Sequence, residues 1–271
     1  MIFRIVFFII VFVPFLIVAI PAQALILLLR LPFWTFLPRL FHRIGCIFLG
    51  LRVTIIGEAS SGRPTLMVAN HISWTDIVAL GSAADVTFVA KREVGQWPFV
   101  GMMANLQRTI YADRTRRSET RRTASAMGRH MASGNSVLLF AEGQSDIGTH
   151  VLPFRSALIG AAQHAMIEAG ARDVVIQPVT IAYTKLQGLP VSRNERSLIA
   201  WIKSRSVRQN ILDILSGPVK DVTIAFGTPM PLSESDNRKV VSKSAESQVR
   251  AMLVALNRGL PLPPGAGTPQ V

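Results

Sequence analysis

The sequence predicts an α/β domain, with a mixed and mostly parallel sheet flanked by helices, preceded by an N-terminal hydrophobic membrane anchor. Three observations lead there. Short runs of branched apolar residues alternate with longer stretches of helical periodicity, as expected for strands joined by crossover helices. The first thirty residues are almost wholly apolar. The whole chain, 271 residues, suits one domain of ordinary size with appendages and is long enough to bury a full core. The expected organisation is an anchor over residues 1–30, an α/β domain over 31–258 and a disordered Pro- and Gly-rich tail over 259–271.

The anchor comes first. From Ile5 to Leu29, 25 residues carry no charge, interrupted only by Pro14, Pro21 and Gln23. At about 1.5 Å per residue a helix of that length exceeds the roughly 30 Å hydrocarbon core of a bilayer. Arg4, the apolar run and Ala22-Gln23-Ala24 also fit a signal peptide with an A-x-A cleavage site. Because Leu25-Ile26-Leu27-Leu28-Leu29 continues past that site, cleavage would leave a very apolar new N-terminus, so retention is the preferred reading. Arg30, Arg39, Arg43 and Arg52 follow, and the positive-inside rule then expects the domain on the cytoplasmic face of the inner membrane. The prolines leave a kinked span and a re-entrant hairpin equally open.

Beyond the anchor, strands are expected at Leu51–Ile56, Thr65–Ala69, Val86–Ala90, Ser136–Phe140, Val174–Ala182 and Val222–Phe226. Helices are expected at Thr75–Gly81, Ser118–Met131, Ser156–Ala169 and Ser242–Leu256. Between Tyr183 and Gly217, Leu198, Trp201, Ile202, Ile211, Leu212 and Leu215 recur at near-helical spacing beside Arg196, Lys203, Arg205 and Arg208. That stretch reads either as a membrane-surface helix or as an ordinary helix with a solvated basic face.

Composition narrows the classes. The chain is 49% hydrophobic and only 17% charged, too apolar for a typical soluble protein. Its net charge of +13 suits a polyanion, either nucleic acid or an anionic bilayer surface. Seven arginines between Arg108 and Arg129 face only Asp113 and Glu119, yet a lone Tyr111 does not make the aromatic interleaving that base stacking needs. Anionic lipid head groups fit that run better than nucleic acid. A single cysteine, Cys46, excludes an intramolecular disulfide and argues against a cysteine-based zinc site. No motif for a metal, nucleotide or redox cofactor stands out.

The chemistry gathers around Val68-Ala-Asn-His71-Ile-Ser-Trp-Thr-Asp76-Ile, where an apolar strand ends, a polar turn carries a histidine and a helix begins. On one continuous helix, residues five apart lie roughly 140° apart around the axis and cannot meet. If His71 precedes the helix, the turn can fold it back onto Asp76. Ser73-x-x-Asp76 also fits a capping box, in which Asp76 only stabilises a helix start.

Further segments resemble, in order and spacing, the glycerolipid acyltransferase family with its N-H-x4-D block. Asn70-His71-Ile-Ser-Trp-Thr-Asp76 matches that block. Ala90-Lys91-Arg-Glu-Val-Gly-Gln-Trp-Pro98-Phe-Val-Gly101, continuing to Arg108-Thr-Ile-Tyr-Ala-Asp113-Arg114, is similar to the second. Phe140-Ala-Glu142-Gly143-Gln-Ser145-Asp146 sits where the family usually carries F-P-E-G-T-R-S, and Val175-Ile-Gln-Pro178-Val179-Thr-Ile-Ala resembles the fourth block. Together the blocks cover roughly residues 65–183.

The resemblance implies acyl transfer from a thioester, on acyl-carrier protein or coenzyme A, to the hydroxyl of a lysolipid at the bilayer, without a cofactor. It implies His71 as general base and Asp76 as its orienting carboxylate, with the acceptor hydroxyl replacing the serine of a hydrolase triad. Glu142 and Gly143 are implied near the acceptor, and Lys91 and Arg114 near its charged head. The chain departs from the pattern with Ala141 for proline, Gln144 for threonine and Ser145 for the motif arginine, which is expected to grip an acceptor phosphate. Together with Val151-Leu-Pro-Phe-Arg155-Ser-Ala-Leu, this resembles the bacterial branch acting on lyso-ornithine lipid, with Arg155 a candidate for an acidic head group. Lysophosphatidic acid is the alternative acceptor. A serine hydrolase is the rival enzyme, because Gly143-Gln-Ser145-Asp-Ile147 nearly forms a nucleophile elbow. A membrane-tethered binder of nucleic acid or anionic surfaces is the rival outside enzymes.

Overall fold

A computed structural model describes residues 2–112, 117–168, 170, 173–202, 206–233 and 235–266. The N-terminal run is helical throughout: α1 (Ile2–Phe7), a π-helical turn (Phe8–Phe12) and α2 (Val13–Leu28) follow without a break. Pro14 explains the wide turn, since its ring crowds the carbonyl four residues back and it brings no N–H to the ladder. α3 (Phe36–Leu49) then leads through left-handed Gly50 into the sheet.

The remaining elements are β1 (Leu51–Ile56), β2 (Thr65–Ala69), α4 (Thr75–Ala83), β3 (Val86–Lys91), α5 (Pro98–Leu106), β4 (Ile110–Ala112), α6 (Arg117–Ala132), β5 (Ser136–Phe140), α7 (Ser156–Glu168), β6 (Val175–Leu186), β7 (Leu189–Pro190), α8 (Arg193–Ile199), α9 (Val207–Ser216), β8 (Lys220–Phe226), β9 (Met230–Pro231) and α10 (Arg238–Arg258). The main sheet runs β1-β8-β6-β2-β5-β3-β4. From β6 to β4 every neighbouring pair is parallel, while β8 joins β6 antiparallel. The expected mixed, mostly parallel sheet is therefore present. Expected strands recur with small extensions, most notably β6, which runs on to Leu186.

Alternate residues on each central strand serve two cores. Met67, Ala69, Leu138, Phe140, Val179 and Ile181 pack against α3 and α4 through Cys46, Leu49, Ala79 and Leu80. Leu66, Val68, Val137, Leu139, Ile176 and Ala182 pack on the other face against α6, α7 and α10. All five residues of β2 are buried, as a parallel strand covered on both sides requires. α3 can approach α4 closely because Gly81 has no side chain; a Cβ there would lie 2.3 Å from the His42 ring. That crossing sets the position of the helix that carries Asp76.

The apolar N-terminal helix, long enough to cross a membrane over Arg4–Leu28, does not stand away from the domain. Arg4 donates to the carbonyls of Ile214, at 3.3 Å, and Leu215, at 2.5 Å, at the end of α9. Phe8 and Phe12 pack on Phe48 of α3 with ring centroids 5.1 and 5.4 Å apart. Gln23 donates to the carbonyls of Trp34, at 2.9 Å, and Leu106, at 3.0 Å. Arg4 and Gln23 stand nineteen positions apart, roughly 28 Å along a helix, so the domain touches this helix along most of its length. At the other terminus, residues 260–266 return to the domain: Leu262 and Ala266 pack on the core and Thr228 donates to the carbonyl of Gly265. This part of the expected disordered tail has a defined place, because Leu262 buries apolar surface. Residues 267–271 lie outside the described residues.

Candidate active site

β2 ends at Ala69, and Asn70 continues it by side chain alone. Its amide donates to the Ile181 carbonyl at 3.0 Å and accepts from the Ile181 N–H at 2.9 Å, adding one rung to the β2–β6 ladder. The main chain is thereby released from the sheet and turns into the loop carrying His71. That loop lies at the carboxyl ends of the parallel strands, where open α/β sheets form their binding crevices.

The loop is folded around one carboxylate. Asp76, wholly buried in the first turn of α4, accepts through Oδ2 from His71 Nδ1 at 2.8 Å, Ile72 N at 2.6 Å and Ser73 N at 2.9 Å. Its Oδ1 accepts from the Tyr183 hydroxyl at 2.8 Å, and that hydroxyl is 2.6 Å from Thr75 Oγ1. Asp76 thus accepts from Ser73 N, but the N-cap position of α4 is Trp74 and, among the described residues, the Ser73 hydroxyl has no hydrogen-bond partner, so the expected capping box does not form. With Asp76 accepting at Nδ1, the other ring nitrogen of His71, Nε2, carries the lone pair. The ring stacks on Phe140 with centroids 4.0 Å apart, and its side chain is 16% exposed. Such a histidine can take a proton from a bound hydroxyl, and the adjacent carboxylate would stabilise the imidazolium formed.

Glu142 closes the loop from the other side. It follows β5, and its two oxygens accept from His71 N and Leu152 N, both at 2.7 Å. Burial pushes its carboxyl up to about 8 against the pull of those two donors, and the charges of Asp146 and Asp76 push in the same direction. Gly143 adopts φ +77°, a left-handed conformation that favours glycine, so the chain reverses there immediately after the carboxylate. Asp146 N then donates to the His71 carbonyl at 2.9 Å.

The expected residues therefore divide. His71, Asp76, Glu142 and Gly143 are brought together. Ser145 is part of the same loop, but its hydroxyl donates to the Trp201 carbonyl and so ties α8's trailing segment to the site. No serine–histidine pair forms there, which removes the basis for the hydrolase reading. Arg155 is exposed and donates from Nε to the Glu142 carbonyl at 3.4 Å. Lys91 lies exposed at the end of β3, on the same edge of the sheet, and is not brought into hydrogen-bond contact with the other four. Arg114 lies outside the described residues. Tyr183 was missed; as the next residue on β6 beyond the fourth block, its strand position is the signal that points to it.

A cavity of about 450 Å³ adjoins this loop. Trp74 and Ile77, which flank Asp76 in sequence, line it together with Phe88, Val100, Met103 and Leu16 of the anchor helix. Its wall is almost entirely apolar. Buried Gln23 and His42 are exceptions in the lining, and burial pushes His42 down to about 4, keeping it neutral.

Residues 51–182 match the family described as Acyltransferase. The chain is 39% identical over 244 residues to the lyso-ornithine lipid O-acyltransferase of Brucella abortus, covering 90% of this chain and 91% of that one. It is 38% identical to the enzyme of the same name from Rhizobium meliloti, over 89% and 83% of the two chains. The 1-acyl-sn-glycerol-3-phosphate acyltransferase of Neisseria gonorrhoeae is 27% identical over 78% and 77%. In fold, the crystal structure of the 1-acyl-sn-glycerophosphate acyltransferase of Thermotoga maritima superposes with a TM-score of 0.60 at 20% identity, covering 82% of this chain and 79% of that one.

Proposed function

Because the chain belongs to the N-H-x4-D acyltransferase family and is an acyltransferase acting on lysolipids, we propose that its acceptor is lyso-ornithine lipid and that His71 is the general base. The observation carrying this reading is the half-buried His71 held by buried Asp76 beside an apolar cavity of about 450 Å³. The acyl chain of the thioester occupies the cavity, and the carbonyl carbon lies at its mouth near His71. Nε2 takes the acceptor's hydroxyl proton as the oxygen attacks that carbon. The tetrahedral intermediate collapses by breaking the C–S bond, and the imidazolium returns the proton to the departing thiolate. The products are an ester and a free thiol, on acyl-carrier protein or coenzyme A.

The same reading orients the protein at the cytoplasmic side of the inner membrane, where acyl thioesters are made. Exposed apolar residues continue from the anchor helix (Ile9, Ile17, Leu25) to α3 (Phe36, Ile47) and α5 (Phe99, Val100). The anchor touches the domain over roughly 28 Å, close to the roughly 30 Å of hydrocarbon it would have to cross. A perpendicular span would carry parts of α5 and α9 through the bilayer. A helix lying within one leaflet keeps every contact and opens the cavity toward lipid.

The test is to supply the purified protein in lipid with acyl thioester and either lyso-ornithine lipid or lysophosphatidic acid, identifying products by mass spectrometry. Ester formation on lyso-ornithine lipid with the higher kcat/KM is expected. A strong preference for lysophosphatidic acid would overturn the acceptor assignment.

A further inference from the structure

The wall of the apolar cavity and the loop that carries His71 are joined into one hydrogen-bonded unit. Trp74, which stands between His71 and Asp76 in the chain, lines the cavity and donates from Nε1 to Asn210 Oδ1 at 2.9 Å. Asn210, wholly buried on α9, donates in turn from Nδ2 to the Ala200 carbonyl at 3.2 Å. The next residue, Trp201, also lines the cavity, and its N–H donates to the Ile72 carbonyl at 2.9 Å. A closed circuit therefore runs from Ile72 and Trp74 through Asn210 to Ala200 and Trp201, and back to Ile72. The Trp201 carbonyl accepts from the Ser145 hydroxyl, so the same residue is tied to the loop that follows Glu142.

Both of these Trp201 ties are made by its main chain, which leaves the indole to pack against whatever fills the cavity. Its ring meets that of Trp97, which comes from the segment before α5, with centroids 6.3 Å apart and planes tilted by 55°. On the other side of the circuit, Ile72 N donates to Asp76 Oδ2 at 2.6 Å, the oxygen that also receives His71 Nδ1 at 2.8 Å. A shift of Trp201 thus reaches the carboxylate that orients His71 across a single residue. Burying a long alkyl chain releases free energy far from the bond that breaks. That energy raises the rate of the chemical step only where part of it acts on the reacting geometry. This circuit is a short path on which it can act.

We propose that Trp201 is a positioning residue that couples occupancy of the cavity to the His71 loop. An acyl chain packed against its indole holds Ile72, and through it Asp76 and His71, in the reactive arrangement. Long-chain thioesters are then selected in kcat as well as in KM. The inference rests on the reading that the cavity takes the donor's acyl chain and deepens it, and the test separates the two.

The full-length protein in mixed micelles, at saturating lysolipid, is given acetyl and palmitoyl thioesters of the same carrier. Thiol release gives kcat and KM for each, and single-turnover rates confirm that the chemical step limits. In the wild type kcat should be about tenfold higher for palmitoyl than for acetyl, since misplacing reacting groups by about 1 Å costs up to about 10²-fold. Trp201→Ala removes the indole and keeps both main-chain ties, whereas Trp74→Phe keeps an aromatic wall and cuts the tie to Asn210. Each should bring the palmitoyl-to-acetyl ratio of kcat close to unity. Because both thioesters meet the same protein, loss of folded enzyme cancels from that ratio. Trp97→Ala opens the wall at a residue with no hydrogen bond to the His71 loop among the described residues; it should raise KM for palmitoyl and leave the ratio at its wild-type value. A wild-type kcat independent of chain length, or a ratio that survives in both Trp201→Ala and Trp74→Phe, overturns the coupling and leaves the cavity as the acyl site. A palmitoyl KM unchanged by both Trp97→Ala and Ala104→Phe overturns the reading of the cavity, and the coupling with it.

Discussion

Replacing Asp76 by asparagine separates two things the carboxylate does, its charge and its orientation of His71. In many histidine–carboxylate pairs an asparagine turns its NH2 toward the ring and forces the wrong tautomer. Here Ile72 N and Ser73 N both donate to the same oxygen that receives His71 Nδ1. An asparagine must therefore keep its carbonyl oxygen at that place, since an NH2 there would face three donors. Its NH2 then falls at Oδ1, where the Tyr183 hydroxyl can accept from it and donate to Thr75 instead. Geometry and tautomer survive, and only the charge is lost. Charge-assisted hydrogen bonds are roughly twice as strong as neutral ones, so the imidazolium loses about 1–2 kcal/mol of stabilisation. That corresponds to a fall in kcat of roughly 5- to 30-fold. His71→Ala, which removes the base, should cost about 10²- to 10⁴-fold, and Asp76→Ala, which strands three N–H donors, should resemble it or fail to fold. The assay is thiol release from acyl thioester at saturating lysolipid, with thermal melts as a control. An Asp76→Asn protein as inactive as His71→Ala would refute the claim that the two amides hold the side chain in place.

Four further outcomes follow from the geometry. Tyr183→Phe removes the donor to buried Asp76 Oδ1; a hydrogen bond to a charged group is worth about 1.5–3 kcal/mol, so thermal melting should fall by several degrees. For Glu142, the folded state keeps a proton up to about pH 8 while the unfolded chain releases it near 4.5, so stability should fall as pH rises between those values. The slope is at most about 1.4 kcal/mol per pH unit, and Glu142→Gln should remove it in melts recorded across that range. Ala104→Phe places a ring in the apolar cavity, and the acyl-length profile of the thioester should shift to shorter chains without loss of the His71-dependent rate. Gly81→Ala puts a methyl against the His42 ring; overpacking of this kind costs about 1–3 kcal/mol and should lower the melting temperature.

What the sequence reveals depends on how each element meets water. β1, β2 and β5 have their observed bounds in the reading from pattern alone, because each is a short run rich in apolar residues marked off by Gly50 and Gly57, Pro64 and Asn70, or Asn135. α3 and α5 do not appear in that reading, although both are full helices. A helix is recognised by an apolar stripe opposite a polar one, and α5 shows Phe99, Val100 and Met102 on its exposed side. Where the outer surface is itself apolar, as in α5, the periodic signal weakens, whereas α3 is strongly amphipathic and was legible in principle. β4, with three residues, is too short to establish any period.

The site divides along the same line between local and distant information. His71 and Asp76 stand five residues apart, and the order of blocks makes them visible, whereas Tyr183 reaches Asp76 from 107 residues away. The sequence also leaves a choice between Asp76 as a helix-starting residue and Asp76 as a partner of the histidine. The hydrogen bonds dissolve that choice. Accepting from Ser73 N and Ile72 N folds the residues before Trp74 back onto the first turn of the helix, and that fold is what carries His71 Nδ1 to the same oxygen. A cap formed elsewhere on the helix would leave the histidine pointing away, roughly 140° around the axis. The spacing of five is therefore a consequence of using one carboxylate in the first helical turn both to fold the preceding loop and to hold the histidine.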